Sequence, residues 1–401
     1  MSSKVVLQLG AGPLMIHSIR LIRELGHQVY AADRNPNAPA FALADGSQQL
    51  DICDADGVTD YARRIRADVI LAVNEAGVLP AAEASARLRL PNVSPAVAMR
   101  CLDKGMMRDA WQAAGLPQPD YRIAHDPEEI AATANQIGYP IVLKPALNWG
   151  SRGVSFVDKD SELPWAVDFA QINCRNGRYL VEKAITGTEM TIEGLVQGGR
   201  PQVLAKSDKE PQQHPKFRVA MALNYPARFD PWQLELANDV VAKAAMALGI
   251  ENGAFHCECM INAHGVYLIE MAARGGGGHI FGQIVQAVSG VCMPQALVRI
   301  LLGEDVDVRP RCQLGACYKF FAPPKGIFQA ASGVEEAKRM PGILDFGFTM
   351  EPGTRVDDIS GDADRPGFVV ATGADRDEAI ANANRAIGTV RYVMQRIEQP
   401  A

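Results

Sequence analysis

Short apolar segments alternate with helical patterns over residues 1–95, and this alternation constrains the fold more than any other feature. VVLQL (5–9) and HQVYAAD (27–33) have the length and composition of buried strands, and DVILAV (68–73) follows the helical segment TDYARRIR. The segment between the first two strands, MIHSIRLIRELG, repeats an apolar residue at helical spacing. Strand–helix–strand repetition predicts a parallel sheet with helices on its faces.

Length, charge and cysteine content favour a multidomain cytoplasmic protein that acts on small molecules. The chain has 401 residues, whereas a single hydrophobic core stops growing near roughly 250–300 residues. The net charge is −6 and no basic cluster occurs, so we expect no nucleic-acid partner. No apolar run reaches the roughly 20 residues of a membrane span, and MSSKVVLQLGAG lacks a signal pattern, so no membrane partner is expected. The eight scattered cysteines are expected to be free thiols.

The glycine turn Gly10-Ala11-Gly12 has two interpretations. It stands between a predicted strand and a predicted helix, and Asp33 follows Gly12 by 21 residues, as in a dinucleotide-binding fingerprint. Met15 occupies the position of the third glycine, so that fingerprint is incomplete. The alternative is an ordinary tight strand-to-helix turn, and we prefer it to NAD binding.

Lys144 and the loop that follows it carry groups suited to phosphate. Lys144 lies late in the apolar strand PIVLKP, where a charge needs a partner. The loop NWGSRGVS (148–155) offers backbone N–H groups, a hydroxyl and a guanidinium, although it does not match the P-loop pattern. Such a loop alone is more often a plain hairpin turn. A buried lysine upstream favours phosphate binding.

Two carboxylates, Glu258 and Glu270, lie in neighbouring apolar segments joined by Ala263-His264-Gly265. A three-residue hairpin loop ending in glycine would pair residue 262 with 266, and therefore Glu258 with Glu270. Opposed like charges are destabilising unless a cation lies between them, and Mg²⁺ binds few carboxylates in such sites. The alternative is a pair of solvated surface acids. The apolar flanking residues favour a metal site, with Cys257 and Cys259 packed on the opposite face.

The segment after Glu270 predicts an anion site. Arg274 stands four residues beyond the proposed metal ligand, where it is placed to stabilise a phosphoryl group or an oxyanion. The glycines at 275–278 precede a helix and predict an anion-receiving backbone nest, whereas a flexible linker is the other interpretation. His279 either contacts a ligand or belongs to the first helical turn.

The order of these motifs resembles the ATP-grasp superfamily over nearly the whole chain, in the branch of carbamoyl phosphate synthetase, biotin carboxylase and bacterial L-amino-acid ligases. The resemblance implies an α/β and α+β fold, with a Rossmann-like preATP-grasp domain at 1–95 that does not bind NAD. It further implies a small lobe at 96–185 with the phosphate loop at 148–153, a large lobe at 186–304, and a small β-rich C-terminal domain at 305–401.

The resemblance also implies roles for individual residues. It assigns ATP binding to Lys104, Lys144, Ser151, Gly153, Glu182, Lys183, Ala184, Ile185 and Glu189. It assigns the metal, Mg²⁺ with Mn²⁺ as an alternative, to Glu258 and Glu270. Catalysis falls to Arg274 and Lys144, and substrate binding to Arg274, Gly276, Gly277, Gly278 and His279. Ala272 replaces the asparagine of the motif Glu-x-Asn-x-Arg, which leaves open whether one or two metal ions are held.

The implied reaction joins a carboxylate, in the first place an amino acid, to an amine through an acyl phosphate made from ATP. The alternatives are a bicarbonate-using carboxylase or carbamoyl-forming enzyme, an NAD-linked oxidoreductase, and a nucleotide-binding protein without catalysis. Candidates to line the acceptor pocket are Trp149, His214, Phe217, Arg218 and His279. The expected partners are small molecules, and the branch also makes a homodimer an open possibility.

Overall fold

The computed structural model describes residues 3–212, 214 and 218–396. These residues form two compact units. The first unit comprises Met1–Gln118, Thr191–Lys206 and Phe229–Cys312, and the second comprises Pro119–Met190, Ser207–Arg228 and Gln313–Ala401. The chain therefore passes from one unit to the other several times.

The strands, in chain order, are β1 (Val5–Leu9), β2 (Gln28–Asp33), β3 (Gly46–Gln49), β4 (Val69–Ala72), β5 (Tyr121–Ala124), β6 (Ile141–Pro145), β7 (Ser155–Val157), β8 (Tyr179–Lys183), β9 (Thr188–Gln197), β10 (Arg200–Pro211), β11 (Ala220–Tyr225), β12 (Gly253–Asn262), β13 (Gly265–Ala272), β14 (Gly315–Phe320), β15 (Gly326–Ser332), β16 (Ile343–Phe348), β17 (Arg355–Val356), β18 (Gly367–Gly373) and β19 (Arg391–Gln395). The helices are α1 (Ile16–Glu24), α2 (Ala55–Ile65), α3 (Glu75–Leu88), α4 (Pro95–Leu102), α5 (Lys104–Ala113), α6 (Pro127–Ile137), α7 (Leu163–Asn173), α8 (Pro231–Leu248), α9 (Val285–Ser289), α10 (Met293–Leu301), α11 (Val334–Lys338) and α12 (Arg376–Thr389).

The first unit begins with the predicted parallel sheet, whose strand order is β3-β2-β1-β4. Its strands pair in parallel, for example Leu7 with Tyr30 and with Ile70. Leu7, Leu9 and Ile70 are fully or almost fully buried against α2 and α3 in one core cluster. The alternation of strand and helix patterns in the sequence is thus confirmed as a parallel α/β layer.

Capping residues set the starts of the helices that carry functional groups in this unit. The Asn74 side chain accepts a hydrogen bond from Gly77 N, so α3 begins with Glu75, just beyond the carboxyl end of β4. Asp103 caps α5 through Met106 N at 3.0 Å and fixes Lys104 as the first residue of that helix. The ends of parallel strands and the starts of helices therefore bring charged side chains to defined positions.

Strands in the order β13-β12-β9-β10 complete the first unit, and the antiparallel β12–β13 hairpin differs from the prediction. Asn262 pairs with Gly265, so the loop has two residues, Ala263 and His264, rather than three. A bulge between Glu258 and Cys259 then shifts the register by one residue, and Glu258 faces Glu270. The pairing of the two acids is confirmed, but the predicted loop is wrong, because the bulge and not the turn sets the register.

The second unit contains the sheets β5-β8-β6-β7 and β17-β15-β19, together with strands in the order β11-β14-β18-β16. The first of these packs on α6 and α7 around Ile141, Leu143 and Val181. A separate core gathers Phe321, Val369 and Ala383 beneath α12. The β-rich character predicted for the C-terminal part of the chain is confirmed, whereas the domain boundaries drawn from the sequence stay a prediction.

Among the described residues, no single helix is long and apolar enough to cross a membrane; Ile280–Ser289 and Met293–Leu301 meet that test only as a pair, bent by 104°.

All eight cysteines lie in the described residues and are free thiols. Cys257 and Cys259 are fully buried with their sulfurs 3.7 Å apart, and burial raises the pKa of the Cys257 thiol well above its usual value. This supports their predicted packing role.

Candidate active site

The β12–β13 hairpin of the first unit carries the acidic pair predicted to bind metal. Glu258 and Glu270 are cross-strand partners, and each side chain is 26% exposed, so solvent and ligands reach both. The bulge leaves Ile269 as the extra residue on β13, and its carbonyl accepts a hydrogen bond at 2.8 Å from the fully buried Arg108. The site geometry therefore depends on α5, which supplies that arginine.

A lysine already neutralises one of these acids. Lys104 Nζ lies 3.2 Å from Glu270 Oε1, and the lysine is only 5% exposed. The sequence assigned Lys104 to phosphate and Glu270 to metal, and the structure brings the two together within the first unit. Glu270 therefore has a protein counter-charge beside it before any metal binds.

A buried network of Glu193, His256 and Glu258 adjoins the acidic pair, and two of its members were missed by the sequence patterns. Glu193 on β9 is fully buried and contacts His256 Nδ1, while His256 Nε2 lies 3.7 Å from Glu258 Oε1. Burial alone lowers the pKa of His256, but the negative charges of Glu193 and Glu258 and the hydrogen bond to Glu193 outweigh burial and raise this pKa to about 9. His256 stands two residues before Glu258, a spacing that could have revealed it.

Arg274 is oriented by a carboxylate that the sequence patterns also missed. Its Nε lies 2.5 Å from Oε2 of Glu75, the first residue of α3, and its Nη1 donates to the Gly275 carbonyl at 2.8 Å. Burial by itself lowers the pKa of Arg274, but the charge of Glu75 and the hydrogen bond to it raise this pKa above the usual arginine value. The guanidinium is therefore held in one orientation with its charge secured.

Two glycines of the run, Gly275 and Gly276, approach other groups too closely for side chains. Gly276 N donates to Glu193 Oε2 at 2.9 Å, so this N–H of the predicted nest already has a protein partner. Beyond the run, His279 is 5% exposed, and its Nδ1 lies 3.0 Å from Gln283 Nε2 at the start of a π-helical turn, Ile280–Ile284. The proposed contribution of Gly276 to substrate binding is thus close approach rather than hydrogen bonding.

Replacing Gly276 with alanine is expected to destabilise the protein by about 1–3 kcal/mol, as overpacking does. A Cβ atom at this position would lie 2.6 Å from Glu193 Oε1 and 2.7 Å from Ile280 Cγ2. Gly277→Ala is the matched control, because no atom lies within 4 Å of the corresponding Cβ. Urea unfolding of both variants measures the difference, and equal midpoints would contradict the described packing.

Lys144 and Glu182 form a buried ion pair in the second unit. Their charged atoms are 2.6 Å apart, and the residues are 4% and 2% exposed. β6 and β8 are antiparallel neighbours and place the two side chains in reach of each other. The partner that the buried lysine required is therefore Glu182, which the sequence assigned to the adenine-contacting segment.

The predicted phosphate loop, 148–153, joins β6 to β7 in the second unit. Gly150, Ser151 and Gly153 have positive φ angles of 69°, 60° and 75°, so the backbone turns tightly there. Asn148 Nδ2 donates to Asn173 O at 2.8 Å, and the Arg175 guanidinium lies 4.3 Å from the Trp149 ring centroid. The end of α7 thus fixes the start of the loop.

A family model described as the ATP-grasp domain matches residues 137–282, the stretch that holds these lysine, loop and carboxylate positions. The chain contains an ATP-grasp domain. A second model, described as L-amino acid ligase C-terminal domain 2, matches residues 319–395. The first begins before β6 and ends after the glycine run, and the second covers most of the C-terminal β-rich part.

Individual proteins show the same likeness along most of the chain. The solved L-amino acid ligase from Bacillus licheniformis superimposes with a TM-score of 0.84, covering 98% of this chain and all of that chain (100%) at 22% identity. A formate-dependent phosphoribosylglycinamide formyltransferase from Burkholderia lata is 29% identical over 410 residues, covering 98% of this chain and 97% of that protein. The protein y4rH of Sinorhizobium fredii is 29% identical over 308 residues, 76% of this chain. The chain matches only 63% of that relative's length. The fold is the ATP-grasp fold.

The residues assigned to adenine and ribose in the ATP-grasp domain have protein partners in the second unit. Lys183 Nζ donates to the carbonyls of Gly138 and Tyr139, both at 2.9 Å. Ala184 N donates to Pro140 O at 3.1 Å, and Ile185 follows it in the chain. The carboxylate of Glu189 is ion-paired with Lys209. The assignment of residues 182–185 and Glu189 to ATP stays a prediction.

The glycine turn ahead of the ATP-grasp domain is closed by Asp33. Its Oδ2 accepts from Ala11 N at 2.8 Å, and its Oδ1 accepts from Asn35 N at 2.9 Å. Both carboxylate oxygens of the residue that would bind an NAD ribose therefore already accept a backbone N–H, one of them from the glycine turn. This weighs against the dinucleotide interpretation and for the tight turn.

The acceptor-pocket candidates that the structure describes are divided between the two units. In the second unit, His214 Nε2 lies 4.0 Å from Asp358 Oδ2, and the Arg218 guanidinium lies 4.0 Å from the Phe156 ring centroid. His279 belongs to the first unit, where its ring lies 6.2 Å from the His17 ring. Phe217 lies outside the described residues.

Proposed function

We propose that the protein is an ATP-dependent carboxylate–amine ligase that activates a carboxylate as an acyl phosphate and transfers the acyl group to an amine. The observation that carries the proposal is the cluster of Glu258, Glu270, Lys104 and Arg274 within one unit of an ATP-grasp fold. The amino-acid side of the proposal is supported by the C-terminal match to an L-amino acid ligase domain.

The proposed reaction has two balanced steps. A carboxylate oxygen of the substrate attacks the γ-phosphorus of ATP, the bond from that phosphorus to the bridging oxygen breaks, and ADP leaves. The amine nitrogen then attacks the acyl carbon, loses a proton, and displaces phosphate to leave an amide. Lys144 and Lys104 would neutralise phosphate charge, and Arg274 would stabilise the oxyanion on the acyl carbon.

The donor set at the hairpin fits a divalent cation. Two partly exposed carboxylates face one another, and a lysine ammonium already lies beside one of them. We assign Glu258 and Glu270 to hold Mg²⁺, which takes oxygen ligands from few carboxylates and from phosphates. When bound, the ion would supply charge neutralisation at the β- and γ-phosphates.

The orientation of Arg274 suits a fixed oxyanion donor rather than a mobile surface charge. Glu75 holds its Nε, and the Gly275 carbonyl accepts from its Nη1, so the guanidinium is positioned before a substrate arrives. Such preorganised donors contribute more to catalysis than donors that must reorient during the reaction. A carboxylate held by the adjoining glycine segment would lie next to this guanidinium.

ADP release from purified protein with ATP and Mg²⁺ tests the proposal directly. A panel of amino acids, given singly and in pairs, is expected to stimulate ADP release, with one amide product per ADP by mass spectrometry. Glu258→Gln is expected to abolish the stimulated release without unfolding the protein. Absence of ADP release with every amino acid would contradict the amino-acid proposal.

A one-carbon carboxylate is the second candidate, because the Burkholderia lata relative named for formate matches 98% of this chain. Formate or bicarbonate would replace the amino-acid carboxylate in the first step, and the remaining chemistry would be unchanged. The same assay separates the candidates. ADP release stimulated by formate or bicarbonate, and by no amino acid, would favour the second one.

A further inference from the structure

We propose that Nε2 of His256 is a third protein ligand of the cation held by Glu258 and Glu270. This inference rests on the metal role proposed above for the two carboxylates and adds a residue to it. A nitrogen donor shifts the preference of a site from Mg²⁺, which takes oxygen ligands, towards Mn²⁺ and other transition metals. The proposed site therefore has the ligand set of two glutamates and one histidine.

The strand register places the imidazole on the same face as the acids. His256 is the direct cross-strand partner of Ala272, just as Glu258 is the partner of Glu270. Directly opposed residues project to one face of the sheet, with Cβ atoms about 4.5–5.5 Å apart, and so do residues two apart along a strand. His256 thus lies on the same face as both carboxylates, across from the small Ala272 side chain.

The pairing of His256 with Ala272 bears on the number of donors available to a metal ion. The sequence motif around Glu270 has alanine where an asparagine oxygen would be available, so β13 offers one donor fewer. The residue directly opposite that alanine is a histidine, which offers a ring nitrogen from β12. The missing donor on one strand is matched by a donor on its neighbour.

The distance between His256 Nε2 and Glu258 Oε1 suits two ligands of one ion. It is 3.7 Å, which is too long for a hydrogen bond. Around an octahedral ion with metal–ligand distances of about 2.1 Å, adjacent donors are about 3.0 Å apart and opposite donors about 4.2 Å. The separation falls between these values, so an ion that displaces the Nε2 proton would need only a small adjustment of either side chain to bind both.

The other ring nitrogen has the partner typical of a metal-bound histidine. Nδ1 contacts the fully buried carboxylate of Glu193, which also accepts from Gly276 N at 2.9 Å. Metal-ligating histidines commonly donate this N–H to a carboxylate, which fixes the ring and directs the remaining nitrogen at the metal. Glu193 is therefore a positioning residue for His256 in this proposal.

Electron paramagnetic resonance of the full-length protein with Mn²⁺ alone, without nucleotide, tests the inference. The wild-type protein is expected to show the ¹⁴N coupling of a coordinated imidazole in electron spin echo spectra. His256→Asn is expected to lose that coupling and to bind Mn²⁺ about 10–100-fold more weakly, the loss reported when metal-site shells are disrupted. Adding Ala272→Asn to that variant is expected to restore affinity without the nitrogen coupling.

The controls separate this inference from the metal proposal beneath it. His264→Asn removes an exposed histidine at the hairpin turn and is expected to leave coupling and affinity unchanged. If Glu258→Gln and Glu270→Gln weaken Mn²⁺ binding while the ¹⁴N coupling is absent from the wild type, His256 is not a ligand and the metal role stands. If neither glutamine variant weakens Mn²⁺ binding, the metal role itself fails. Thermal unfolding in chelator verifies that each variant is folded.

Discussion

Replacing Lys144 with methionine is expected to lower the free energy of unfolding by about 3–5 kcal/mol, the usual cost of leaving one member of a buried ion pair alone. Lys144 and Glu182 are 4% and 2% exposed, so the carboxylate left behind would have little access to water. The same variant is expected to lose ATP-dependent turnover, because the proposed phosphate contact is removed. Urea unfolding and the ADP-release assay measure the two effects.

Two controls separate stability from catalysis. The double variant Lys144→Met/Glu182→Leu is expected to regain most of the stability, since an apolar pair of similar volume often replaces a buried ion pair without loss. It is not expected to regain turnover. Lys243→Met breaks an exposed pair with Asp239 on α8, whose side chains are 62% and 56% exposed, and should cost well under about 1 kcal/mol. Equal losses for Lys144→Met and Lys243→Met would contradict the buried pair.

Replacing Arg274 with lysine is expected to lower kcat by about 10²–10³-fold, the usual effect of removing one oxyanion donor. A lysine keeps the charge near Glu75 but cannot bind that carboxylate, bind the Gly275 carbonyl and face a substrate at once. Stability is expected to change little because the positive charge remains. Steady-state ADP release with the best amino acid from the panel measures kcat and KM separately.

Arg299→Lys is the matched control for Arg274→Lys. Arg299 also binds a glutamate through Nε, 2.6 Å from Glu304 Oε2, but it lies on α10 and is not one of the proposed site residues. The kcat of the Arg299→Lys variant is expected to equal that of the wild type. A loss confined to KM in the Arg274 variant would assign that residue to substrate binding and would contradict its proposed role in catalysis.

The sequence predicted most of the elements because local signals were clear. The parallel sheet follows from apolar strands alternating with helices, and the helix at Lys104 follows from its capping aspartate. Glu258 and Glu270 were paired correctly, although from a hairpin loop of the wrong length. These features depend on neighbours in the chain, which a sequence displays directly.

What the sequence did not predict depends on contacts between distant segments. Glu75, Glu193 and His256 have no motif of their own, and their importance appears only when β9, β12 and α3 contribute to one unit. The hairpin register was derived from a standard turn, whereas a bulge decides it. No local pattern announces a bulge when its stabilising partner lies 161 residues away.

That partner, Arg108, has a consequence for how variants of this protein would present themselves. The Arg108 guanidinium is fully buried and donates a hydrogen bond to the carbonyl of Ile269. Ile269 is the extra residue of the bulge that aligns Glu270 with Glu258. Replacing Arg108 is expected to shift β13 along β12 and so to separate Glu258 from Glu270. Binding at the proposed metal site would then be weakened by a change at a residue that is not one of the proposed ligands. A substitution on α5 would thus act by disturbing the register of β12 and β13.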